Sequence, residues 1–262
     1  MKVLYEFIPR LDFLISVEKT KDLVDGWNIT DSAGGVPAPS ATAVACVLKA
    51  KYPDKIVIPM LITNYKGPVE IGAAALAAEA NNVDGVVPDP GDAPKYGHLI
   101  RTREDGNCQI LIDPDEIDKY RHSTGPAEEV RSFLRNAVKI RRLRMGCLLT
   151  SRRPAEDSIA RIRDEWDFCL FLRFHEESLP RLKQVAAECR HLDKPIYPYF
   201  VVGTTKNTKT RERIGWPASA TMDGAEELVA RLEGVVDGVV ATCLGDLVGD
   251  AELLEKIQKF RK

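Results

Sequence analysis

Residues 55–92, KIVIPMLITNYKGPVEIGAAALAAEANNVDGVVPDPGD, decide the fold. KIVIPMLIT is a nearly continuous apolar run, as expected of a strand covered on both faces. GPVEIGAAALAAEAN has a proline where a first helical turn tolerates one and is rich in alanine, so it reads as a helix. VDGVVPDPGD is a second buried strand that stops at proline, glycine and aspartate, the residues of a tight turn. Two buried strands joined by a helix run parallel, because the helix returns the chain to the starting end of the sheet.

The same unit repeats in both directions. Upstream, VLYEFIP and DFLISVEKTKDLV form one strand and helix, and WNITDSAGG with ATAVACVLKA forms the next. Downstream, PAEEVRSFLRNAVKI leads into RMGCLLTS, then PAEDSIARIRDEW, FCLFLRF, SLPRLKQVAAECRHL and PIYPYFVV. GAEELVARLEG, VDGVVATC and DAELLEKIQKF complete the series. Two long intervals, Ala93–Gly125 and Gly203–Thr221, interrupt it, and the first reads as a functional loop. Eight strands alternating with eight helices over residues 1–262 predict a single-domain α/β fold, the (β/α)8 TIM barrel. An open doubly wound sheet is the competitor, but its phosphate loops GxGxxG and GxxxxGK[ST] are absent.

Composition narrows the function classes. Apolar residues make up 44% and charged residues 29%, with a formal net charge of −2, so nothing favours nucleic acid. No apolar run approaches the roughly 20 residues of a membrane span, and the N-terminus lacks a secretion pattern. Six cysteines without CxxC or CxxH spacing point to a reducing cytoplasm and to no metal site. The cluster Lys139, Arg141, Arg142, Arg144, with Arg152 and Arg153 beyond it, reads as a solvated helix end, with an anion site as the alternative.

In a barrel of this kind, polar residues at the C-terminal ends of strands have no packing role and are where chemistry is sought. They are Glu6, Thr30, Asp31, Thr63, Asn64, Asp89, Asp92, Thr150, Ser151, Arg173, His175, Tyr197, Tyr199 and Thr242. Glu6 stands out. A carboxyl group between Tyr5 and Phe7 is desolvated, which raises its proton affinity and suits it to general acid catalysis; an ion pair with Arg173 is the structural alternative. Asp92, in PDPGDAP, projects from a rigid turn, where it serves either as a charge opposite a cationic intermediate or as a turn cap. The loop SAGGVPAPS offers backbone N–H groups to an anion.

Taken in order, YEFIPR, NITDSAGG and GVVPDPGDAP resemble the strand-end motifs of the methylenetetrahydrofolate reductase family, and MGCLLTSRRPAEDSIARIRDEWDFCLFLRF and PIYPYF extend the likeness over most of the barrel. The resemblance implies reduction of a methylene-tetrahydropterin to its methyl form, with tetrahydrofolate or a tetrahydromethanopterin-type molecule as partner. Glu6 takes the proton donor's position and Asp92 that of the aspartate near the pterin. Thr30, Ala33, Gly34 and Gly91 fall at the cofactor-binding positions, and Asp92, Arg173 and Tyr199 at the substrate-binding ones. Pro90, Met60 and Phe171-Leu172 replace the family's arginine, histidine and Thr-Gln pair. FAD is therefore expected to bind weakly, with NAD(P)H, a deazaflavin or another hydride donor acting directly. Pterin-dependent methyl transfer and a non-catalytic pterin-binding subunit, as a homo-oligomer or with a one-carbon-pathway partner, stay open as alternatives.

Overall fold

The computed structural model describes residues 1–64, 66–91, 100–102, 108–110 and 126–261. Its barrel strands are β1 (Lys2–Phe7), β2 (Gly26–Ile29), β3 (Ile56–Ile62) and β4 (Gly85–Asp89), then β7 (Arg144–Thr150), β8 (Phe168–Leu172), β9 (Ile196–Gly203) and β11 (Gly238–Thr242). All eight pair in parallel, and β8 joins β9 while β11 joins β1, so the sheet closes. The (β/α)8 barrel expected from the sequence is the architecture observed. Two short strands, β5 (Ile100–Thr102) and β6 (Cys108–Ile110), form an antiparallel pair inside the first long interval. β10 (Ala220–Thr221) adds to the edge of β9.

The helices are α1 (Phe13–Thr20), α2 (Ala41–Lys51), α3 (Pro68–Ala80), α4 (Ala127–Asn136), α5 (Ala155–Ile162), α6 (Leu179–His191), α7 (Thr208–Ile214), α8 (Ala225–Ala230) and α9 (Leu247–Ile257). Among the described residues, no helix is long and apolar enough to cross a membrane. α7 was not expected. Its sequence TKTRERI buries no residue against the barrel, so it carries no apolar stripe to read.

Two apolar layers result from strand alternation. Outward-facing residues of the strands meet the helices in the larger core, and Leu4, Ile58, Met60, Val87, Phe168, Leu170, Tyr197, Tyr199 and Val240 fill the barrel interior. Phe168 forms the floor. A Cβ added at Gly85 or Gly146 would fall 2.7 or 2.3 Å from its ring, so both glycines are there to admit it.

The N-terminal end of the barrel is closed by a repeated device. Asp25, Asp84, Asp167 and Asp237 each stand just before β2, β4, β8 and β11. Each accepts an N–H from a neighbouring strand: Val3 at 2.8 Å, Val57 at 2.8 Å, Met145 at 2.7 Å and Ile196 at 2.9 Å. The basic cluster divides between the two ends of β7. Arg141, Arg142 and Leu143 give their backbone N–H groups to Glu79, and the Arg144 guanidinium lies 5.4 Å from the Phe168 ring, whereas Arg152 and Arg153 follow the strand. The expected helix end is thus a loop after α4, tied down by a carboxylate from α3.

Candidate acid–base site at the barrel mouth

Alternation along β1 sends Leu4 and Glu6 to the interior, with Glu6 nearer the C-terminal mouth. Glu6 is in register with Asn28 on β2. Glu6 is 8% exposed, and its carboxyl group hydrogen-bonds with Thr242 from β11, whose hydroxyl oxygen accepts the Leu244 N–H at 2.8 Å. The second oxygen, Oε2, is shut off from solvent and has no hydrogen-bond partner among the described residues. Burial pushes the Glu6 pKa up to about 7; the Thr242 hydrogen bond opposes the rise and the charge of Asp250 adds to it. The ion pair with Arg173, open as an alternative, does not form.

Arg173 instead adopts a left-handed backbone at φ 60° and gives its guanidinium to the carbonyls of Ile214, at 3.0 Å, and Gly215. Its charge also lies 5.3 Å from the Trp216 ring. Trp216 is half-buried over Tyr199, with ring centroids 5.7 Å apart, and its indole Nε1 is enclosed without a partner among the described residues. Below it, the Tyr199 hydroxyl donates to Asn28 Oδ1, while Asn28 Nδ2 donates to the Ile58 carbonyl at 2.9 Å. Burial, with the charges of Glu6 and Asp89, holds the Tyr199 phenol well above its ordinary pKa. Glu6, Thr242, Asn28, Tyr199 and Trp216 therefore gather at one end of the barrel.

The other expected residues have local structural partners or lie outside the described residues. Thr30 lies at the β2 end with its hydroxyl 3.4 Å from the Phe7 carbonyl. Ala33 and Gly34 form a tight 3-10 turn in which Gly34 has φ 68°. Gly91 has φ 77°, and a Cβ there would fall 2.8 Å from Ile62 Cδ1, so packing alone requires glycine. Asp92 lies outside the described residues. Asp31 is ion-paired with Lys66, and His175 caps the turn before α6 together with Ser178. Among the described residues, no group of three or more His, Cys, Asp or Glu side chains could hold a metal ion.

Sequence reasoning missed Trp216 and Asp250. Asp250, on α9, is 2% exposed and accepts the Tyr5 hydroxyl at 2.9 Å and the Cys243 N–H at 2.5 Å. Burial raises its pKa to about 6, against the lowering effect of those donors. Asp246, the N-cap of α9, accepts the Gly249 N–H at 3.3 Å and the Thr204 hydroxyl at 2.9 Å, and Lys206 stands 3.5 Å away. That loop borders a cavity of about 400 Å³.

No family model and no curated protein matches the chain. Solved structures similar to it include a protein from Aquifex aeolicus VF5, at 15% identity and a TM-score of 0.56 over 100% of this chain and 93% of that one. A mutant tryptophan synthase alpha-subunit from Pyrococcus furiosus gives 12% identity and a TM-score of 0.55, over 98% and 96%. The GH18 chitinase ChiB of Flavobacterium johnsoniae gives 13% and 0.53, over 98% and 93%. At such identities the likeness shows the barrel fold. These findings overturn the resemblance to methylenetetrahydrofolate reductases, and with it the reduction of a methylene-tetrahydropterin and the one-carbon role. The physical reason is that the matched motifs were short strand-end runs. Any closed barrel places polar and turn-forming residues there, as Thr30, Gly34 and Gly91 now show.

Proposed function

We propose that this barrel is an enzyme of the acid–base class, in which Glu6 transfers a proton to and from a small molecule held at the C-terminal mouth. One observation carries the reading: a buried carboxyl oxygen of Glu6 without a partner, at the end of the barrel where this fold builds its active sites. A carboxyl group poised near neutrality is populated in both protonation states at working pH, which is the requirement for a proton shuttle. Thr242 orients it and Asn28 fixes Tyr199 beside it. That tryptophan synthase alpha-subunits and a chitinase use the same fold supports catalysis over a purely structural role. Five cysteines are free thiols among the described residues, which favours a reducing compartment such as the cytoplasm.

The test is hydrogen exchange in heavy water. Glu6 carboxylate takes a proton from carbon next to a carbonyl, the electron pair moves onto the carbonyl oxygen, and the exchanged carboxyl group returns a deuteron. Proton NMR of dihydroxyacetone, glyceraldehyde and hexoses incubated with the protein should show loss of C–H signal above the uncatalysed rate. Glu6→Gln should slow it by about a hundredfold or more, the scale of losing a general acid or base. Equal rates in the two proteins, or a Glu6 carbon-13 titration at an ordinary carboxylate value, would remove Glu6 from this role.

A further inference from the structure

We infer that the ligand of this mouth is an uncharged, hydroxylated small molecule, and that Trp216 recognises it through its indole N–H. The inference rests on the acid–base reading and deepens it by naming the substrate class. Two enclosed polar atoms adjoin Tyr199 and lack partners among the described residues: Glu6 Oε2 and Trp216 Nε1. Leaving buried polar groups unpaired is costly, so a ligand that satisfies both recovers that cost on binding. A hydroxyl answers both requirements. Its hydrogen donates to the carboxylate, and a neighbouring hydroxyl or carbonyl oxygen accepts from the indole.

Among the described residues, the charge distribution favours a neutral ligand over an anion. Barrels of this fold commonly hold phosphate between the loops after the seventh and eighth strands and a helix N-terminus. Here those loops follow β9 and β11, and the N-terminus of α9 already holds the carboxylate of Asp246, fixed by Thr204 and Gly249 and paired with Lys206. A phosphate would meet that negative charge. Arg173 is bound to two carbonyls and Lys66 to Asp31, while Arg10 and Arg153 are exposed among the loops that follow the strands. Inside, the carboxyl groups of Glu6 and Asp89 both act on Tyr199.

Trp216 supplies its own reporter. The chain has 3 tryptophans, and Trp27 and Trp166 are enclosed in the core, so the indole cross-peak lost in Trp216→Phe identifies the third. Nitrogen-15 NMR titrations would compare dihydroxyacetone and glyceraldehyde with their phosphate esters, with affinities for Trp216→Phe taken from saturation transfer. The neutral compounds should shift the Trp216 indole peak and bind at least about tenfold more tightly than the esters. Trp216→Phe should weaken them about tenfold, and Asp246→Ser should reduce the discrimination against phosphate. Equal or tighter binding of the esters, no binding of either neutral compound, or an unchanged affinity in Trp216→Phe would each overturn the inference. These are binding readouts, so they fail or succeed separately from the exchange assay on Glu6.

Discussion

Tyr5 and Glu6, consecutive on β1, deliver their polar atoms to opposite faces of the barrel wall, and each face holds a buried carboxyl group. Outside, Tyr5 donates to Asp250 at 2.9 Å; inside, Glu6 meets Thr242. Neither carboxyl group has a cation among the partners found for it. The barrel wall thus separates two acidic groups, and the charge of Asp250 acts on Glu6 across it.

This arrangement sets a pH dependence of stability. Glu6 and Asp250 have folded pKa values of about 7 and about 6, above their ordinary values, so the native state holds protons that the unfolded chain releases. Their contribution is complete below the ordinary carboxylate range and is lost as pH rises through the folded values. Urea unfolding of wild type and Glu6→Gln at several pH values checks it. The stability of wild type relative to the variant should fall by roughly 2–3 kcal/mol between about pH 5 and about pH 8, at about 1.4 kcal/mol per pKa unit. A constant difference would mean that Glu6 titrates normally.

Asp250→Asn removes a negative charge behind Glu6 while keeping the shape of the side chain. The Glu6 titration, followed by carbon-13 NMR of the carboxyl group, should move to lower pH. Burial is the larger cause of the raised value and persists, so the shift should be partial. No shift, in a variant that retains the wild-type fold, would show that the two groups do not communicate.

In the barrel floor, Phe168 occupies space left by Gly85 and Gly146. Gly146→Ala should destabilise the protein by about 1–3 kcal/mol through overpacking, as judged by the urea midpoint. Combining it with Phe168→Leu should cost less than the sum of the two single changes, because the smaller side chain makes room for the methyl group. Strict additivity would contradict the contact.

Replacing Asp84 or Asp237 by Ala leaves the N–H of Val57 or Ile196 without its acceptor at the N-terminal end of the barrel. Each change should lower stability by about 1–3 kcal/mol and leave the Glu6 titration unmoved. A moved titration would show that the two ends of the barrel are coupled.

Much of the barrel was legible because its strands are apolar runs bounded by Pro, Gly and Asp, and its main helices carry apolar stripes. α7 was not, since its residues bury nothing. Glu6 was legible from its immediate neighbours, Tyr5 and Phe7, because a charge between them has no good solvent. Its partner Thr242 and the role of Asp250 depend on barrel closure, which no local spacing encodes. Asp250 by itself reads as an ordinary acidic residue in a first helical turn. Trp216 lay in an interval without periodicity, and its significance comes from Tyr199 and Arg173, which only the tertiary fold brings to it.

The four strand-start aspartates also bear on ancestry. Asp25, Asp84, Asp167 and Asp237 recur at every second barrel strand, three of them followed directly by glycine. A pair of barrel strands carrying its own fastening carboxylate therefore occurs four times around the ring. Such a pattern is what successive duplication and fusion of a quarter-barrel would leave, with the shared fastening retained at one end while the loops at the other diverged. Each fastening joins the two strands of one quarter, so a cut at a quarter boundary severs none of the four.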